Sequence, residues 1–233
     1  MTNILVAGGS GSIAALCFNS SPILVVSKSF TVLLRTILQS PPILSDIPGA
    51  GFVFGCIFCF GSKIGWYHSI YLPLILIEME CGKGSIWGSV DECTLVLVSA
   101  GICSGNLLMS HSVSSGDAAL SKRGLYINLL CGDFIEAAYP FMERSKIVNF
   151  FSYLACGAST EILYSKDPTE VLSSAYVPFW MSIWLANDWK RMGTACVVAF
   201  GISFIGSIIG NIWGGKDTEV VSKEENNKVK KEE

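Results

Sequence analysis

Charge is scarce in this chain. Asp, Glu, Lys and Arg make up 15% of its 233 residues, against about 25% in ordinary soluble domains. Histidine is scarcer still. His68 and His111 are the only two, so zinc and haem sites lack ligands and no metal or cofactor is expected. Neither G-x-S-x-G nor H-E-x-x-H occurs, and no catalytic constellation is legible, so an enzyme is not expected. The N-terminus has no basic segment ahead of its first apolar run. No cleaved leader is therefore expected, and the first apolar segments would direct membrane insertion. A net charge of −3 gives no support for nucleic-acid binding.

Apolar residues fill the space that charge leaves. They form 51% of the chain, and the mean hydropathy is +0.51. The distribution is uneven: residues 1–215 are apolar with sparse charges, while 216–233 are nearly all polar. The first stretch reads as a transmembrane helical domain. The second reads as a charged tail with too little to bury, expected to be disordered. Nine cysteines lie mostly inside apolar runs and read as small buried hydrophobes rather than a disulfide framework. Cys56 and Cys59 form a C-x-x-C within Phe54–Phe60, which reads as a packed helix turn. Residues Ile4–Ala14 imitate a dinucleotide fingerprint, but no acid follows about 20 positions on, as that motif requires. A Gly/Ser-rich membrane helix explains the same residues.

A membrane helix needs about 20 apolar residues. Eight apolar stretches qualify to differing degrees: 4–18, 22–39, 50–79, 88–109, 124–142, 146–164, 171–187 and 191–213. The first and the seventh are the weakest. The fold class expected is an all-α polytopic membrane bundle of about seven spans, within a range of six to eight. A break is expected at Pro41–Pro42, and a kink at Pro73. Tryptophan and tyrosine near span ends, Trp66, Tyr67, Tyr71, Trp87, Tyr139, Trp180, Trp184, Trp189 and Trp213 among them, read as an interfacial belt. Gly101 with Gly105, and Gly206 with Gly210, form G-x-x-x-G pairs whose small surfaces let helices approach closely.

An ionisable group at membrane depth is costly and by default faces a cavity or a partner. Lys28, Arg35, Lys63, Asp133, Glu136 and Glu161 fall inside apolar stretches. Asp133 and Glu136 are three apart, on one helix face, and are the expected lining of an ion pathway. Lys28, Arg35 and Lys63 are expected to balance them. Glu78, Asp91, Glu92, Glu143, Arg144 and Lys146 lie near expected span ends and read as interfacial, the last three also as lipid-headgroup contacts.

The chain ends Lys230-Lys231-Glu232-Glu233, a K-K-x-x pattern. On a membrane protein with a cytosolic C-terminus this reads as an endoplasmic-reticulum retrieval signal, an address rather than an anchor. The loop lysines and arginines fall on both sides of any seven-span arrangement, so the orientation rests on this tail alone. Ala14–Ser21, the break at Pro48-Gly49-Ala50 and Cys59-Phe60-Gly61-Ser62 resemble the opening of the trimeric intracellular cation (TRIC) channels. The resemblance covers about the first quarter of the chain plus the tail. It implies about seven spans, residence in the endoplasmic reticulum, and a homotrimer passing a small cation such as potassium. The family's K-E-V-x-R signature is absent. Met142-Glu143-Arg144-Ser145-Lys146-Ile147 is its nearest counterpart.

The expected function is therefore a channel or carrier for a small inorganic cation, surrounded by membrane lipids and acting as a homo-oligomer. Two alternatives stand beside it: a non-catalytic membrane subunit or assembly scaffold, and an intramembrane lipid enzyme working through Asp133.

Overall fold

The computed structural model describes residues 47–80, 84–109, 111 and 113–232, with side chains described as far as Trp213. The chain divides between Pro41 and Pro42, where the sequence places a break, and every element named below belongs to the second unit. The expected spans 4–18 and 22–39, and with them Lys28, Arg35 and the Ala14–Ser21 resemblance, lie outside the described residues.

Helix α1 (Ala50–Lys63) starts after Gly49, whose φ of 84° suits glycine and which offers no side-chain cap. The missing cap comes from another helix. Glu161 accepts hydrogen bonds from the Gly49 and Phe52 N–H groups at 3.0 and 2.9 Å. This satisfies orphan donors at a helix N-terminus, where negative charge is favoured. Glu161, expected from the sequence as an intramembrane charge, is thus a helix cap. Helix α1 stops at Gly65, at φ 92°. A π-helical turn (Tyr67–Tyr71) and α2 (Leu72–Glu80) then continue at 108° to α1. The bend expected at Pro73 therefore falls at Gly65, which alone tolerates that backbone angle. Pro73 comes just after the π-helical turn, in a helix that continues through it.

Ser85 caps α3 (Ile86–Asp91) by accepting from the Gly88 N–H at 3.0 Å. A second π-helical turn (Glu92–Val96) joins α3 to α4 (Leu97–Leu108). Together they form one continuous apolar helix, Ile86–Leu108, whose apolar window is wholly buried in the protein. Helix α5 (Ser115–Cys131) is capped by Ser114 and ends at Gly132, in the left-handed region at φ 62°. A 3-10 turn (Ile135–Ala137) and α6 (Tyr139–Arg144) lead to α7 (Lys146–Tyr164). A 3-10 turn (Pro168–Val171), an extended passage and α8 (Phe179–Leu185) precede α9 (Trp189–Glu232).

Helix α7 packs between α1 and α9, and α9 packs in turn on α4, which also meets α5. Small residues make these approaches. A Cβ on Gly101 would lie 2.6 Å from the Phe200 carbonyl oxygen, and one on Gly105 2.6 Å from Ser207 Cβ. Gly206 and Gly210 face Phe151 and Val148 of α7, so both G-x-x-x-G pairs are occupied by contacts within the chain. Side-chain hydrogen bonds reinforce the seams: Asn106 donates to Ser121 at 3.2 Å and accepts from Ser207 and Asn211 at 2.9 and 2.8 Å.

The described residues are helical, with no strand among them beyond one isolated bridge, Ser85 to Ser173. Two helices, Ile86–Leu108 and Trp189–Trp213, are long and apolar enough to cross a membrane, or three if the bent pair α1–α2 counts as one. About seven were expected over the whole chain. Expected span 124–142 is broken by Gly132 and by Phe134 at φ 106°. Expected span 171–187 holds only the seven residues of α8, after Pro178. The α7 helix is unbroken but carries Asn149, Ser152, Ser159, Thr160 and Glu161. The tail also differs from expectation, since α9 continues through it to Glu232. Glu219 with Lys223 and Glu224 with Lys228 are four apart in sequence, a spacing that favours helix in residue types already suited to it.

The aromatic belt divides. Trp66, Trp180, Trp184, Trp189 and Trp213 are exposed, but Tyr67, Tyr71 and Trp87 are buried. Tyr71 stacks on Phe58 with ring centroids 4.1 Å apart. Cysteines 59, 93, 103, 156 and 196 are buried and free, as their apolar surroundings foretold, while Cys56 is half-buried and Cys131 exposed.

Candidate functional site

An acidic niche forms where four segments converge on the buried span. The first is the π-helical turn beginning at Tyr67, the second the Asp91–Glu92 step. The third is the connection from Gly132 to Ala137, and the fourth the extended passage around Tyr176.

Asp91 and Glu92 sit at the junction of α3 with its π-helical turn and are 2% and 1% exposed. The sequence placed them at an interfacial span end; the helices around them bury them. Tyr67 donates to Asp91 Oδ2 at 3.2 Å, and its hydroxyl is also hydrogen-bonded to that of Tyr176. Asp91 Oδ1 and both carboxylate oxygens of Glu92 have no hydrogen-bond partner. Glu92 Oε2 lies 3.2 Å from where a Gly132 Cβ would stand, and that Cβ would also strike the Val177 carbonyl. Glycine at 132 therefore lets the Tyr176–Val177 backbone close over Glu92. Insertions of π-type in α-helices are frequent at functional sites, and two here bring Tyr67 and Asp91 together.

Asp133 and Glu136 are not on one face of a continuous helix, as their spacing had implied. Asp133 follows the α5 cap and accepts from the Phe134 N–H at 2.8 Å; Glu136 lies in the 3-10 turn. Both are exposed. Gly132, next to Asp133, packs against Glu92, and Glu136 stands 3.9 Å from His68, the neighbour of Tyr67, so both acids lie at the edge of the buried pair. Burial first, and then the charges of Asp91, Asp133 and Glu136, push the Tyr176 hydroxyl up to about 12 against the opposing hydrogen bond with Tyr67. It is a neutral donor at ordinary pH. His68 Nε2 stands 3.9 Å from Glu136 at the exposed rim. Among the described residues no lysine or arginine pairs with any of the four carboxylates; Arg123 lies over the Phe134 ring, its guanidinium 5.7 Å from the centroid.

No family model, curated protein or solved structure matches the chain.

Lys63 does not join the niche. Its Nζ donates to Asn149 at 3.1 Å, tying α1 to α7. Arg144 is engaged by Asp117, with hydrogen bonds of 2.6 and 3.1 Å that hold the Asp117 carboxyl below its usual range and the guanidinium above its own. Glu143 and Lys146 are exposed, and Lys146 borders an apolar cavity of about 410 Å³ lined by Phe150, Phe151 and Trp213. Lys230 and Lys231 fall in the helical extension of α9. Glu78, taken from the sequence as interfacial, is buried and accepts from Ser85. Among the described residues no three His, Cys, Asp or Glu groups are placed to hold a metal ion. The buried pair that sequence reasoning did not single out is Asp91–Glu92. Its signal was two adjacent acids in a stretch, 84–116, that holds no other Asp, Glu, Lys or Arg.

Proposed function

We propose that the chain is a membrane-embedded channel or carrier for a small cation, resident in the endoplasmic-reticulum membrane with a cytosolic C-terminus. One observation carries the reading. Two acids lie inside a span that is surrounded by protein, and the inner one has neither a hydrogen-bond nor an ion-pair partner. Ionisable groups at such depth mark ion pathways and proton relays because nothing else offsets their cost. Asp133 and Glu136 would attract the cation at the rim, and Asp91 and Glu92 would receive it within. The resemblance to the TRIC channels points to the same class and to a homotrimer of multi-span subunits.

Flux of small cations through the purified full chain in liposomes tests this, with oligomeric state measured in the same preparation. Flux that falls when Asp133→Asn and Glu136→Gln are combined supports both the reading and the roles. Flux unchanged by that pair refutes the roles. A silent protein that becomes ordered only beside stoichiometric partners belongs to the assembly-subunit reading instead.

A further inference from the structure

The inner carboxylates narrow the choice of cation. A dehydrated metal ion takes several oxygen ligands at once, six or more for calcium and near-octahedral for magnesium. Around Glu92 the neighbours are Asp91 and Cys93 on its own helix, Cys196 of α9, and the Gly132 and Val177 backbone. No metal-holding group of three acids, histidines or cysteines forms among the described residues. A proton needs a single oxygen and no coordination shell.

A chain of exchangeable groups leads to the pair. His68 and Glu136 are exposed and 3.9 Å apart. The half-buried Tyr176 is hydrogen-bonded through its hydroxyl to Tyr67, and Tyr67 donates to Asp91. Tyr139 is hydrogen-bonded to Ser62, and Arg123 stands over the ring of Phe134, the residue after Asp133.

We propose that Asp91 and the adjoining Glu92 form a proton-binding pair loaded from solvent through the Tyr176–Tyr67 hydroxyl chain, so that the transported or coupling cation is the proton. This rests on the reading of the chain as a cation pathway. The transfer balances: Tyr67 passes its proton to the Asp91 carboxylate as it takes one from Tyr176. Tyr176, only half-buried, takes one from hydronium at the surface. Both tyrosines end neutral, one carboxylate has become a carboxylic acid, and one hydronium has become water.

The test uses the full chain in liposomes. Infrared difference spectra between acid and alkaline buffer should show the C=O stretch of a protonated carboxylic acid, lost in Glu92→Gln or Asp91→Asn. A trapped pH dye should report proton entry driven by a potassium gradient with valinomycin. Tyr67→Phe should keep the infrared band and lose the proton entry, which a variant that merely misfolds would not do. A spectrum without the band, or with the band intact in both acid variants, overturns the proposal. So does the absence of proton entry in the wild type, whatever the spectrum shows. In that case alkali-cation flux measured in the same liposomes decides the broader reading, which survives if those ions cross and falls if nothing crosses.

Discussion

Gly101→Ala and Gly201→Ala are the same chemical change on two helices that touch, and the structure gives them opposite signs. A Cβ at 101 would stand 2.6 Å from the Phe200 carbonyl oxygen and 3.1 Å from the Phe204 amide nitrogen, with Ser203 Oγ closer still. The serine can rotate; the α9 backbone cannot. Helices α4 and α9 must part by several tenths of an ångström, and overpacking of this kind costs about 1–3 kcal/mol. The same seam carries the Ser207 bonds to Ile102 and Asn106 at 3.0 and 2.9 Å, each worth about 0.6 kcal/mol in a membrane protein, so the upper part of that range is expected. A Cβ at 201 meets nothing within 4 Å. There alanine gains about 0.5–1 kcal/mol by restricting the unfolded chain and favouring helix. Unfolding of the two purified variants in one detergent should therefore separate them by about 2–4 kcal/mol on either side of wild type. If Gly101→Ala is as stable as wild type, or the two shift alike, the close α4–α9 packing is wrong.

Replacing Glu161 by Ala strips the Gly49 and Phe52 N–H groups of their acceptor and should cost about 0.5–2 kcal/mol, as loss of a helix cap does. Glu161→Gln keeps one acceptor oxygen and should fall between; equal stability of all three proteins would exclude a capping role. Arg144 holds the Asp117 carboxyl below its usual range, so the folded value lies under the unfolded one. The stability from this pair is then complete above the unfolded carboxylate range and disappears as pH falls through the lowered folded value. Because the Arg144 side chain is 60% exposed, Asp117→Asn should cost only about 0.2–1 kcal/mol near neutral pH. The gap should close in acid, and a gap constant across pH would refute the assignment.

Periodicity and hydropathy carried the helical class and the position of the strongest spans. The apolar run at 88–109 became Ile86–Leu108 and that at 191–213 became Trp189–Trp213, each within a few residues. What failed was the reading of individual glycines and acids. Gly132 ends α5 and Gly101 packs inside α4, yet both occur in apolar surroundings. Only the backbone angle distinguishes them, so Asp133 and Glu136 were assigned to a helix that stops before either. Asp91 and Glu92 stand near the start of their span, where composition cannot separate an interfacial acid from one enclosed by α1, α7 and α9. Glu161 was legible as an anomaly but not as a cap, because its partners lie 112 and 109 residues away.

Burial alone does not single out Asp91 and Glu92, and comparison with Arg191 shows what does. Arg191 is 7% exposed. Its guanidinium donates to the Asp167 carbonyl at 2.6 Å and to Glu170 at 3.5 Å, and it stands 3.6 Å from Asp188. Its Nε and Nη1 lack hydrogen-bond partners, as the Glu92 oxygens do, but the carboxylates of Glu170 and Asp188 stand 3.5 and 3.6 Å away and offset its charge. Glu92 has nothing comparable. A buried acid without a partner carries a desolvation cost, and a leucine of similar size would avoid that cost. Further strain lies around it: Tyr176 and Phe134 hold φ of 58° and 106°, a conformation that costs non-glycine residues about 1–3 kcal/mol each. Packing would remove both costs if it were the only requirement on this region. An unpaired acid, two left-handed side-chain residues and a π-helical turn at one place are together what the proposed proton-binding step would use: a carboxylate left free to change its occupant.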